Sequence, residues 1–314
     1  MNEYHHGAAN TPSAPNKTAT GHLAAFITIF IWGTTFISTK VLLNTFTPIE
    51  ILFIRFFIGY LALWLVLPRR LKLNDRKQER YFIFAGLCGV TLYYLFENIA
   101  LTFTLASNVG VIISIAPFFT AIFGYFFLHG ERPGARFFTG FALAMAGICL
   151  ISFGSDAALS INPLGDLLAV GAAIIWAMYS TLTKKISGFG YPTIQTTRRT
   201  FFYGILFMVP VLSVMGFRVN AAELGNMTNL LNLIYLGLGA SALCFVTWNF
   251  AVRVLGAVKT SVYIYMVPVI TTVFSALILH ENITPVTVCG IVLTLAGLFL
   301  SEKRTARQTE IVAE

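Results

Sequence analysis

The sequence predicts an all-α membrane protein in which ten transmembrane helices form two inverted five-helix repeats. Three observations carry that expectation. The chain of 314 residues is 57% hydrophobic and only 11% charged, far from the roughly one-quarter charged composition of an ordinary soluble domain. Its apolar stretches reach about 20 residues, the length a helix needs to cross about 30 Å of hydrocarbon. The stretch "IAPFFTAIFGYFFLH" at 115–129 returns 151 residues later as "MVPVITTVFSALILH" at 266–280, with Pro, Thr, Phe, Leu and His at matching offsets.

The apolar pattern divides into spans at residues 22–43, 48–67, 81–103, 107–128, 137–154, 164–183, 194–215, 229–251, 258–279 and 284–301. Short connections join them, and the alternating pattern of an outer-membrane barrel is missing. Residues 1–21 read as a disordered cytoplasmic tail, 22–154 as the first repeat, 164–302 as the second and 303–314 as a cytoplasmic C-terminal tail. The polar opening carries no sorting signal, and the first span lacks a cleavage site, so it is expected to stay attached.

The net charge of +8 raises the question of nucleic acid, but its distribution answers differently. With the N-terminus in the cytoplasm, inner loops and tails hold 18 of the 21 Lys and Arg, leaving Lys40, Arg55 and Arg218 elsewhere. The positive-inside rule then places both termini in the cytoplasm of a cell inner (plasma) membrane. The expected partners are membrane lipid and a small-molecule substrate, with no nucleic acid and a monomeric state. Cys88, Cys149, Cys244 and Cys289 all lie inside spans, with no metal-ligand spacing. They read as small packing residues, and no metal, cofactor or catalytic residue is expected.

In the first span, Trp32, Thr35, Phe36 and Thr39 recur at one face of a helix. At an offset of 144 their partners in the sixth span are Trp176, Tyr179, Ser180 and Thr183. Both tryptophans lie halfway along their spans, too deep for an interfacial belt. Arg55 in the second span and its partner Arg199 in the seventh lie in the first turns and read as snorkelling side chains. The third span sets Tyr94, Glu97 and Asn98 on one face, and the eighth answers with Phe245, Trp248 and Asn249. Glu97 is the only acid well inside a span, and an intramembrane acid is costly unless it has a partner or water, and marks a functional site by default. It is the candidate for ion coupling.

In the fourth and ninth spans, Pro117 and Pro268 deprive the carbonyls of Ile113 and Ile264 of their helical partners and should bend both helices. Freed carbonyls survive at membrane depth only against protein or a wet cavity. The pair therefore reads as a cavity-shaping or hinge element. Ser114 and Tyr265 lie beside it. His129 and His280 close these two spans. Glu131 and Glu281 open the fifth and tenth as helix-dipole partners, followed by Gly140 and Gly147, and by Gly290 and Gly297.

An odd number of spans per repeat inserts the second copy upside down, a recurring plan of secondary transporters with the substrate site near the midplane. The substrate-binding candidates are Trp32, Thr35, Tyr94, Asn98, Ser114, Trp176, Tyr179, Trp248, Asn249 and Tyr265, aromatic walls with a few neutral hydrogen-bonding groups.

Two five-span repeats, the early "IWG", a proline in spans four and nine, and a Glu opening "GERPGARFFTGFALAMAG" and "ENITPVTVCGIVLTLAG" together resemble an EamA-type member of the drug/metabolite transporter superfamily. The resemblance covers about residues 22–302. It implies a ten-helix exporter with a cavity lined by spans 1, 3, 4, 6, 8 and 9 and a scaffold of spans 5 and 10. Within the superfamily, YddG-like aromatic amino acid exporters are the functional likeness. The expected activity is export of aromatic or other hydrophobic amino acids by alternating access. A nucleotide-sugar or sugar-phosphate carrier is the alternative within the superfamily, disfavoured because diphosphates call for buried cations. An intramembrane enzyme is the alternative from another class, and the sequence contains no "HExxH" or "GxSxG" for it.

Overall fold

The structure is a computed structural model, and it describes residues 17–104, 106–128, 130, 133–154, 162–218, 220–279 and 284–302. Ten membrane-crossing helical segments occupy these residues: α1 Lys17–Leu42, α2 Pro48–Val66, α3 Arg76–Phe103, α4 Val109–Leu128, α5 Ala135–Gly154, α6 Pro163–Ser187, α7 Thr193–Met215, α8 Met227–Leu255, α9 Ala257–Phe274 and α10 Pro285–Glu302. Eight are long and apolar enough to span by length alone, and α5 and α10 contain the two shorter apolar helices. Helix α1 begins at Lys17, so residues 17–21, assigned from sequence to the tail, belong to the first helix. A first turn at the membrane surface can be polar and still helical, and hydropathy does not register it. His129, His280, Glu131 and Glu281 lie outside the described residues, as do most of both tails.

Helix starts follow local chemistry. Thr47 and Glu50 form a reciprocal capping box at α2, with Pro48 in the first turn, where a missing N–H costs nothing. Asn162 caps α6 through Gly165 N, again followed by a proline.

The two halves share irregularities as well as lengths. Helix α3 widens into a π segment at Leu87–Leu92, and α8 does so at Tyr235–Leu243. In α4 the helix turns at residues 114 and 115 and restarts with Pro117 in its first turn. In α9 it tightens to a 3-10 stretch at Val262–Tyr265, and Pro268 follows in the first turn of the next segment. The prolines thus sit where a new helical segment begins, with no intrahelical bond to lose.

Helices α5 and α10 pack along their whole length, and the contact is reciprocal. A Cβ on Gly147 would lie 2.6 Å from the Gly290 carbonyl oxygen, and one on Gly140 would lie 2.8 Å from that of Gly297. Gly140 and Gly147 are the repeat partners of Gly290 and Gly297, so each meets the partner of the other. That exchange is the signature of two antiparallel, pseudo-two-fold copies, and the small residues allow the backbones to touch.

The remaining helices enclose the largest apolar core, which contains Trp176, Phe245 and Trp248. Phe126, Leu167, Leu277 and Phe299 are among the large apolar side chains that point outward, as lipid-facing surfaces require. All four cysteines are free, and Cys289 faces outward rather than packing inside.

At one end of the bundle, the 67–78 connection is tied to α7. Arg198 donates to the carbonyls of Leu67 and Arg69, Gln195 to Arg69 at 3.2 Å, and Arg199 to Leu71 at 2.9 Å. At the other end, Lys40 donates to Leu101 O at 2.9 Å, Asn162 to Phe103 O at 3.0 Å, and Arg218 N to Glu50 at 2.7 Å. The dense basic residues therefore share one end.

Candidate functional site

A narrow cleft lies among α1, α3, α4, α6 and α9, lined by Trp32, Thr35, Phe36, Tyr93, Tyr94, Glu97, Ile113, Trp176, Ile264 and Val267. Two pairs of repeat partners, Trp32 with Trp176 and Ile113 with Ile264, stand in its wall. Ile113 ends the helix ahead of the turn before Pro117, and Ile264 lies in the 3-10 stretch before Pro268, where its carbonyl accepts from Met266 N, so both helix breaks face one space.

The wall is mostly aromatic. Trp32 and Trp176 meet edge to face at 5.1 Å, Tyr93 lies 4.7 Å from Trp176, and Tyr94 lies 4.7 Å from Tyr93. Such edge contacts are the favoured geometry for rings carrying a quadrupole. Trp32 donates its indole N–H to Ala240 O at 3.0 Å, a carbonyl in the π segment of α8. The Trp176 indole N–H is buried with no partner among the described residues.

Glu97 adds the only acid. It is buried beside the Tyr93 hydroxyl, and its Oε2 has no hydrogen-bond partner among the described residues. A buried carboxylate oxygen without a donor is costly, so the cleft offers an unfilled acceptor next to aromatic faces.

Four of the ten binding candidates line this cleft: Trp32, Thr35, Tyr94 and Trp176. The other six stand elsewhere. Trp248 packs behind the wall, 5.2 Å from Trp32 and 5.7 Å from Trp176. Tyr179 donates to Asn249 Oδ1 at 2.8 Å, and Asn249 donates to Thr197 at 2.9 Å. Asn98 donates to Pro48 O at 3.2 Å. Ser114 is fully buried and donates to Gly110 O at 2.8 Å. Tyr265 turns away toward Phe141 of α5, 6.5 Å distant. In the 3-10 stretch of α9, Ile264 faces the cleft while its neighbour Tyr265 does not, an orientation a uniform helical wheel misplaces.

A second narrow cleft lies nearer the basic end and is lined by Thr183, Ser187, Tyr191, Thr196, Thr200, Asn249 and Arg253, among others. Asn249 belongs to its wall, while Tyr179 lies 5.0 Å from Trp176 in the wall of the first cleft. The Tyr179–Asn249–Thr197 chain of hydrogen bonds thus stands between the two spaces.

Sequence reasoning missed Tyr93 and misjudged Arg55. Arg55 does not snorkel, for it is 1% exposed. Its Nε donates to Ser241 at 3.0 Å, and its guanidinium carbon sits 4.5 Å from the centre of the Tyr94 ring. Packing against α8 closes its route to the surface, which a single-helix view cannot register. Arg199 bonds Glu79 through two nitrogens.

Known proteins place the chain further. A relative from Archaeoglobus fulgidus described as an uncharacterized transporter is 30% identical over 292 residues, covering 91% of this chain and 98% of its own. A probable terminal-alkyne amino-acid exporter of Streptantibioticus cattleyicolor is 25% identical, with 90% and 93% covered. A probable amino-acid metabolite efflux pump of Escherichia coli is 23% identical, with 88% and 93% covered. A crystal structure 20% identical superposes with a TM-score of 0.72 over 92% of this chain and 99% of that one, a likeness of fold. The family model for EamA-like transporters matches twice, at residues 19–153 and 163–302, one match for each half of the pseudo-symmetric bundle, and the chain belongs to the EamA-like transporter family.

Proposed function

We propose that this transporter exports small metabolites, aromatic or other hydrophobic amino acids first among them, by alternating access through the cleft bounded by Trp32, Tyr94 and Trp176. One observation carries the reading: an aromatic-walled space holds a single carboxylate, Glu97, with an unpartnered oxygen. Aromatic faces favour rings and cations, and the carboxylate suits an ammonium group. The Streptantibioticus relative, a probable terminal-alkyne amino-acid exporter, and the Escherichia relative, a probable amino-acid metabolite efflux pump, agree with this class. The protein is then a carrier rather than an enzyme, monomeric, in the inner membrane, with both termini cytoplasmic. In this reading the Tyr179–Asn249–Thr197 chain is the closed side of the pathway, and Pro117 and Pro268 shape the space it closes.

Thermal unfolding of the purified chain against panels of amino acids, amines and sugar phosphates tests the substrate class, because a ligand that binds the folded state raises its stability by mass action. Aromatic and branched amino acids are expected to raise Tm, and a rise confined to sugar phosphates or nucleotide sugars would replace the reading. Glu97 is the coupling residue in the same scheme, since its carboxyl can take up and release a proton. Glu97→Gln is expected to abolish the response of the remaining transport to an imposed pH gradient. An unchanged pH response assigns coupling elsewhere.

A further inference from the structure

We infer that Arg55 is the site that receives the carboxylate of the transported substrate, so that the carrier selects zwitterions rather than simple amines. The inference rests on the amino-acid reading above and goes beyond it by naming the recognition group.

The reason begins with a comparison the repeat makes possible. Arg199 and Arg55 occupy corresponding positions of α7 and α2. Arg199 has its counter-charge in Glu79, at the start of the α-helical stretch Glu79–Gly86 that precedes the π segment of α3. The corresponding stretch of α8, Met227–Ile234, reads "MTNLLNLI" and contains no acidic residue. Arg55 accordingly makes no ion pair among the described residues, Glu97 acting on it only from a distance, although it is the more deeply buried of the two arginines. Its Nε is held by Ser241 in the π segment of α8, and its Nη2 is buried with no hydrogen-bond partner among the described residues.

A buried guanidinium with an open donor is a costly arrangement that a purely structural role does not explain. It lies one ring away from the cleft: Arg55 packs on Tyr94 with 4.5 Å from guanidinium carbon to ring centre, and Tyr94 lines the cleft together with Glu97. Tyr94 is the partition. A change of its rotamer on substrate entry opens Arg55 to the space where Glu97 already offers an unpartnered oxygen. A substrate whose carboxylate meets Arg55 and whose ammonium meets Glu97 satisfies both open groups at once, and its side chain is left among Trp32, Trp176 and Tyr93. Guanidinium also suits phosphate, so the experiment includes that source.

The test is binding to the full chain in detergent, followed by quenching of intrinsic tryptophan fluorescence, with phenylalanine, phenethylamine and glucose 6-phosphate as probes. Phenethylamine keeps the ring and the amine but lacks the carboxylate. The native protein is expected to bind phenylalanine about tenfold or more tightly than phenethylamine, the scale of a charge-assisted hydrogen bond, and Arg55→Gln to remove that preference. Equal affinity of the native protein for phenylalanine and phenethylamine overturns the Arg55 assignment and leaves the exporter reading intact. So does an Arg55→Gln variant that keeps the preference. The comparison of the two ligands on native protein needs no variant, so poor folding of Arg55→Gln leaves the test in force. Binding of glucose 6-phosphate alone overturns the amino-acid reading and the zwitterion site together.

Discussion

Trp176 shows how a single side chain is set for a ligand. It touches Trp32, Tyr93, Tyr179, Phe245 and Trp248, yet its N–H stays unbonded, an arrangement buried tryptophans usually avoid. Trp176→Ala is expected to weaken aromatic ligands about fivefold more than aliphatic ones, because ring contacts add on the order of 1 kcal/mol beyond burial. Titration of phenylalanine against leucine checks it, and equal losses make Trp176 a packing residue. Its position at mid-span and its match with Trp32 were legible in the sequence. The environment of Arg55 was not, because burial there depends on Tyr94 of the next helix and on Ser241, supplied by a helix far away in the chain. Asn249 looks in sequence like a ligand for substrate, but its amide is already used by Tyr179 and Thr197.

At the scale of elements, the paired α5 and α10 bear the strictest steric demand. A side chain at Gly147 would bring its Cβ to 2.5 Å from Thr294 N, a backbone atom that cannot turn aside. Gly147→Leu is therefore expected to destabilise the bundle by about 3 kcal/mol or more, at the upper end of overpacking costs, and to lower Tm in detergent without changing ligand preference. An unchanged Tm would show that the two helices separate at little cost. The glycine spacing of these helices is plain in the sequence, as are the paired prolines. The π segments of α3 and α8 are not, since "LCGVTL" and "YLGLGASAL" carry no composition that distinguishes a wider turn from an ordinary one. They matter because Ser241 and the Ala240 carbonyl, which hold Arg55 and Trp32, lie in the second of them.

At the scale of the whole molecule, two sequence facts reach furthest: ten apolar segments and a duplication that carries Asn, Pro and His as well as leucines. They specify the inverted plan, and the reciprocal glycine contacts of α5 and α10 follow from it. What they leave open is which faces of the repeated helices meet. That choice is made by packing between the halves, so only four of ten proposed ligand residues border one cleft. The central claim, that this space carries hydrophobic amino acids across the membrane, is tested most directly by counterflow. Purified protein in liposomes preloaded with unlabelled phenylalanine is given a trace of labelled phenylalanine outside. The account predicts a transient, saturable accumulation of label above that of empty liposomes, suppressed by excess external tryptophan and not by glucose 6-phosphate. No accumulation above empty liposomes, from protein shown by its Tm to be folded, would contradict it.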